Sequence, residues 1–262
     1  MQYVQPSHRV RLDTKAEPDY LDGSALADTS THTYNTWGAD VIGVEDFMDT
    51  YLDAELLPEI IVSVVDTGIN TVPALFSGRI LDAGVNFSDS GDDSAEDDYG
   101  HGTHCSGTIC ELTPANVKSL PVKVFDEEGA SSDEQIYLGI VYSIEQGADI
   151  VNMSFGGLGV SQLEIEALSI AVNAAMEHAN FSNYGRLIDV VAPGVGIASY
   201  VAGDIEKLES WNGTSMATPH VAACCALLRS YDPEMTPRRA ESLLQRNAVD
   251  LGDAGFDEVF GW

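Results

Sequence analysis

A chain of 262 residues with 44% hydrophobic content is long enough to bury one sizeable core, and its length suits a single α/β domain. Its 42 acidic residues against 12 basic ones leave a formal charge of −30, which repels polyanions and argues against nucleic acid or an anionic membrane as partner. No stretch approaches the roughly 20 consecutive apolar residues of a membrane span, and Met1 is not followed by a charged and then apolar leader, so the expectation is a chain without an address.

Residues 13–40 are polar and aperiodic, which predicts an extended surface segment. From Val41 the apolar positions Val44, Phe47, Met48, Tyr51 and Leu52 recur at helical spacing, with Asp40 as the expected cap. Ile60 to Val65 is apolar and β-branched at every position but Ser63, the pattern of a strand buried on both faces in a parallel sheet. An acidic run follows, holding Asp89, Asp92, Asp93, Glu96, Asp97 and Asp98. It reads first as a solvated loop, since no twelve-residue calcium-loop pattern is present, and second as a set of oxygen ligands.

The alternation then continues with a helix from about Thr103, a strand around Val122–Phe125, a helix over Asp133–Gln146 and a strand over Asp149–Met153. This is the rhythm of βαβ units. Ser161-Gln-Leu-Glu164 is a capping-box pattern opening a helix through Ile165, Leu168 and Val172. A strand is expected at Leu187–Val191, an apolar helix after Ser215, and a last helix that Thr236 caps and Pro237 starts. Cys105, Cys110, Cys224 and Cys225 lack zinc-ligand spacing and read as core thiols.

Three segments place reactive side chains where an α/β sheet would present them. Asp66 ends the buried strand in Val-Val-Asp-Thr-Gly; His101 lies in Gly-His-Gly-Thr-His; Ser215 lies in Asn-Gly-Thr-Ser-Met-Ala-Thr-Pro-His, at a helix start. Serine is a poor nucleophile at its ordinary pKa, so acyl transfer needs an imidazole to take its proton and a carboxylate to orient that imidazole. Each segment alone has an ordinary structural reading. Jointly they supply the required set.

These three segments resemble the signature motifs of the subtilase family of serine peptidases, and the similarity runs from about Ile60 to the end of the chain. The resemblance implies a subtilisin-like α/β three-layer sandwich, with a mostly parallel central sheet flanked by helices. It implies a serine endopeptidase in which Asp66 orients the imidazole, His101 is base and then acid, and Ser215 is the nucleophile. Val151-Asn-Met-Ser-Phe-Gly-Gly157 resembles the edge that pairs with substrate backbone, which makes Ser154, Phe155 and Gly156 substrate-binding candidates, and Lys123–Ser131, centred on Gly129, resembles the opposite edge. Extended peptides or proteins are then the expected substrates, held as an added strand. No cofactor is expected for the chemistry. Structural calcium is implied by the family's habit. His104 and His220 read as packing residues.

By the same resemblance, residues 1–12 read as the last strand of a propeptide and hence as an inhibitor, 13–57 as an N-terminal extension with the first helix, and 58–262 as the catalytic domain. The sequence also departs from the family. It passes from Glu177-His-Ala-Asn180 straight into Phe181-Ser-Asn-Tyr-Gly185, without the Ala-Gly-Asn segment whose Asn helps bind the oxyanion, and it stops where a closing helix is usual. About two strands fewer than the family's sheet are therefore expected, in a domain that is internally shortened and C-terminally truncated. The alternatives to an active endopeptidase are an impaired relative that at most binds extended peptides, and a calcium-dependent interaction module. The family's habit favours secretion, and an acidic, cysteine-poor chain also suits its cytoplasmic branch.

Overall fold

The structure is a computed structural model that describes residues 9–12, 36–53, 56–155, 185–186, 188–203 and 207–262. At its centre is a four-stranded parallel sheet in the order β3-β4-β2-β6, built from β2 (Ile60–Asp66), β3 (Val85–Asn86), β4 (Val117–Lys123) and β6 (Ile150–Asn152). Two short antiparallel pairs flank it. One joins β1 (Arg9–Arg11) to β5 (Ala130–Ser132), and the other joins β7 (Ile197–Tyr200) to β8 (Leu208–Trp211).

The period of two along β2 decides what lies on each face. Ile60, Val62 and Val64 meet α3 (His101–Glu111) and α5 (Thr214–Tyr231) through Cys105, Ile109, Met216, Ala222 and Ala226. The odd positions face α4 (Asp133–Glu145), where the Ser63 and Ser143 hydroxyls meet at 2.6 Å and Val65 packs with Val122, Val124 and Ile136. Helices thus cover both faces, the three-layer arrangement that the sequence predicts. Each fully buried branched side chain of β2 contributes about 1.5–3 kcal/mol to holding these layers together.

Several boundaries differ from the expectation. The first helix is two, α1 (Thr36–Ile42) and α2 (Val44–Tyr51), because Gly43 takes the left-handed conformation (φ 68°) between them, and Asp40 lies inside α1 instead of capping it. The third begins at His101, not Thr103. Residues 188–191 form no strand; their polar backbone is occupied elsewhere, the Asp189 carbonyl accepting the Trp262 N–H at 3.0 Å and the Ile188 N–H donating to the Gly185 carbonyl at 3.2 Å. The last helix, α6 (Pro237–Asn247), starts as predicted, with the Thr236 hydroxyl accepting the Arg239 N–H at 3.3 Å. The helix expected from Ser161 lies outside the described residues, as does most of 13–40.

Candidate active site

Asp66 is the last residue of β2 and keeps the parity of Val62 and Val64, so its carboxylate points to the α3 side of the sheet. That is where α3 starts. His101, the first residue of this helix, places Nδ1 2.8 Å from Asp66 Oδ1, and both side chains are buried. The same oxygen accepts the Thr67 N–H at 2.8 Å. A carboxylate can only accept from the ring, so Nδ1 carries the proton and the lone pair resides on Nε2.

The approach of α3 to β2 depends on glycine. A Cβ on Gly102 would stand 2.2 Å from the Gly68 carbonyl oxygen, whereas the bare Gly102 N–H donates to Thr67 Oγ1 at 2.9 Å. Asp97 fixes the helix start from the other side. It is 4% exposed; Oδ1 accepts the N–H groups of Tyr99 and Gly100 at 2.9 and 2.8 Å, and Oδ2 accepts the Thr103 N–H and hydroxyl at 2.9 and 2.5 Å. A buried carboxylate so placed satisfies N–H groups that the first turn leaves unpaired and opposes the positive end of the helix dipole.

Ser215 is the second residue of α5, and its hydroxyl donates to the Ser154 carbonyl at 2.8 Å. Ser154 and Phe155, which follow β6, are both buried, and the Phe155 ring lies 5.2 Å from that of Phe125 at 60°. The β6 edge therefore comes to the serine, and Gly156 lies outside the described residues. Pro219, four residues along α5, has no N–H to offer the Ser215 carbonyl; the Cys105 thiol, 3.6 Å away, donates there instead.

His104 and His220 stay apart from this chemistry. His104 Nε2 donates to the carbonyls of Ile197 and Glu209 at 3.0 and 3.3 Å, and its ring stacks on Trp211 with centroids 4.7 Å apart. Burial pushes its pKa down to about 3. His220 donates from Nδ1 to the Met216 carbonyl at 2.9 Å, and burial pushes it down to about 4. Both are neutral core residues, as the sequence suggests.

On the far side of Asp66, β1 lies antiparallel along β5, with Arg11 opposite Ala130, and the Leu12 N–H donates to the Gly129 carbonyl at 2.9 Å. The buried Leu12 packs in the cluster that holds Phe125, Ile136 and Phe155. Lys123, the register partner of Asp66 on β4, is buried with its ammonium 2.8 Å from the Thr67 carbonyl and 2.7 Å from Asp98 Oδ1. Sequence reasoning missed Lys123 because only strand pairing sets it beside Asp66. It also missed the capping role of Asp97, although an Asp six residues before Thr103 and four before His101 was visible.

Of the six acidic residues in the run, four have side-chain partners: Asp97 as above, Asp98 on Lys123, Glu96, which accepts the Thr71 N–H at 3.2 Å, and Asp92, which accepts the Ser94 N–H at 2.9 Å. The run is thus partly a structural clamp on the segment leading to His101.

The model of the Subtilase family matches residues 58–179 and 166–262. The cell wall-associated protease of Bacillus subtilis (strain 168) is 33% identical over 259 aligned residues, covering 81% of this chain and 28% of that protein. The intracellular serine protease of Paenibacillus polymyxa is 31% identical, covering 74% of this chain and 75% of its own length. Fervidolysin from Fervidobacterium pennivorans, a keratinolytic enzyme related to subtilisin, has a crystal structure that superposes with a TM-score of 0.74 at 24% identity, covering 97% of this chain and 50% of that one, a likeness of fold. The chain spans little more than a quarter of the length of the first of these relatives.

Proposed function

We propose that this chain, which belongs to the subtilase family, is a serine endopeptidase acting on extended peptides through Asp66, His101 and Ser215. The observation that carries the reading is the 2.8 Å bond from His101 Nδ1 to the buried Asp66 carboxylate, with Ser215 at the start of the neighbouring helix. In the mechanism, the Ser215 hydroxyl turns from the Ser154 carbonyl toward Nε2 of His101, gives up its proton there and attacks the scissile carbonyl carbon. The imidazolium, held by Asp66, passes that proton to the leaving amine. Water then repeats the sequence on the acyl-enzyme, with His101 as base and Ser215 as leaving group.

Binding of substrate as an added strand is supported by the chain's own N-terminus. Residues 9–12 already lie antiparallel on β5, with Leu12 in the apolar pocket beyond Gly129. This is the arrangement an inhibitory propeptide strand requires, so residues 9–12 act as an occupant of the same edge. Ser154 and Phe155 form the facing edge, to which the family resemblance adds Gly156.

The sequence between Asn180 and Phe181 favours a slower enzyme. Without the Ala-Gly-Asn segment, the Ser215 N–H is the donor at hand for the developing oxyanion, and the side-chain donor of the family is missing. Structural calcium at the acidic run is a subsidiary reading, supported by the carboxylates themselves and by family habit. Hydrolysis of a chromogenic peptide ester tests the main reading: turnover abolished by Ser215→Ala supports it, and turnover that persists in that variant overturns it.

A further inference from the structure

We propose that Asp66, His101 and Cys105 form a chelating site for a zinc-class divalent cation. The candidate ligand atoms of the three, a carboxylate oxygen, an imidazole nitrogen and a thiol sulfur, all lie within 4.8 Å of one another, and the three residues are buried. Two of them are held at helical spacing, because His101 and Cys105 are four apart on α3 and share one face of that helix. The third comes from the end of β2.

A second observation points to a ligand. Asp66 Oδ1 serves both Thr67 and His101, but Oδ2 is buried and has no hydrogen-bond partner among the described residues. A buried carboxylate oxygen without a donor is costly, by about 1–3 kcal/mol or more, and a cation there would remove the cost. The sulfur and imidazole donors select a borderline-soft ion over calcium or magnesium.

The geometry is within reach of side-chain rotation. Zinc takes sulfur at about 2.3 Å and nitrogen or oxygen at about 2.0–2.2 Å, so donors sharing one tetrahedral ion stand roughly 3.3–3.8 Å apart. Closing from 4.8 Å or less needs about 1 Å of movement. The charges also balance. On ligation Cys105 releases its thiol proton to solvent and the ring proton of His101 moves from Nδ1 to Nε2, so the imidazole stays neutral; a carboxylate with a thiolate then neutralises the divalent ion, and no net charge is buried. The net charge of −30, with Glu96, Asp97 and Asp98 just before His101, raises the local concentration of cations.

Without metal the thiol is inert. Burial and the Asp66 charge push its pKa well above the ordinary range, and it donates to the Ser215 carbonyl. An ion taken up there would replace the Asp66–His101 hydrogen bond and hold the imidazole against proton transfer. Inhibition by zinc, reversed by a chelator, is the expected consequence, and that consequence rests on the peptidase reading; the binding does not.

Cobalt(II) titration of the whole chain reads the site directly. Thiolate-to-cobalt absorption in the near ultraviolet, saturating at one ion per chain and lost in Cys105→Ala, is expected. Cys105→Ser, which keeps a donor to the Ser215 carbonyl, should lose the band as well and guards against a fold defect in the alanine variant. With each protein measured against its own zinc-free rate of ester hydrolysis, the half-inhibiting zinc concentration should rise at least about tenfold in both variants. No thiolate band, or a band and zinc sensitivity unchanged in both variants, overturns the site. A chain that shows the band but hydrolyses no ester keeps the site and sinks the peptidase reading; one that hydrolyses ester with no band and no zinc response does the reverse.

Discussion

The ammonium of Lys123, 1% exposed at the end of β4, reaches the carboxylate of Asp98 at 2.7 Å and so ties the segment before His101 to the strand beside Asp66. It also holds the Thr67 carbonyl, the residue after Asp66, at 2.8 Å. Lys123→Met would leave that carbonyl without its donor and loosen both arms of the Asp66–His101 pair. Asp98 is 41% exposed, so solvent screens the ion pair, and the expected loss of stability is about 1–3 kcal/mol. Misplacement of the imidazole should lower kcat by about ten- to a hundredfold with little change in KM. A variant with unchanged kcat would remove Lys123 from the positioning of the site.

Two neutral histidines give the fold an acid limit. The ordinary histidine pKa of 6.5 is lowered to about 3 in His104 and to about 4 in His220. Below pH 6.5 the unfolded chain binds protons that the folded chain refuses. This contribution to stability is therefore complete above pH 6.5 and is lost as pH falls from there toward 4 and 3, at up to about 1.4 kcal/mol per pH unit for each histidine. Urea midpoints between pH 6 and 4 should show it. His104→Asn or His220→Asn should each flatten the slope by about one proton, and slopes equal to that of the parent would mean that these rings are protonated in the fold.

Much of this was legible beforehand, for identifiable reasons. The run Ile60–Val65 reads as a two-face-buried strand because every position but Ser63 is apolar and β-branched, and the three reactive residues sit beside glycines and helix starts that local chemistry marks. Single residues set the misses. Gly43 splits a periodic stretch that otherwise reads as one helix, and the apolar Ile188–Val191 pairs its backbone with the chain's last residue, a long-range contact no local pattern carries. Lys123 reads only as part of a strand and as the start of the opposite substrate edge, and Cys105 only as part of a core, because the neighbours that matter come from other elements.

The N-terminal strand should behave as a competitor for the β5 edge. Removing residues 1–12, or replacing Leu12 by Asp to expel it from the pocket with Phe125, Ile136 and Phe155, should lower KM for extended peptides by about tenfold, since a tethered occupant acts at high effective concentration. An unchanged KM in both variants would make β1 a purely structural strand.

Turnover should be slow. The proposed loss of one oxyanion donor costs about 10²–10³ in kcat, a figure that comes from subtilisin itself and is carried over to this chain. Burst kinetics with a peptide ester would separate acylation from deacylation, and both steps should be slowed. Rates equal to those of a full-length subtilase would mean that another donor completes the hole.

The most direct measurement is labelling of the whole chain with a fluorophosphonate, followed by mapping of the modified residue. The account predicts one adduct per chain, on Ser215, formed by attack of its oxygen on phosphorus with loss of fluoride, and abolished in His101→Ala because Ser215 then has no base. Absence of an adduct, an adduct on another serine, or labelling that survives His101→Ala would contradict the assignment of Asp66, His101 and Ser215.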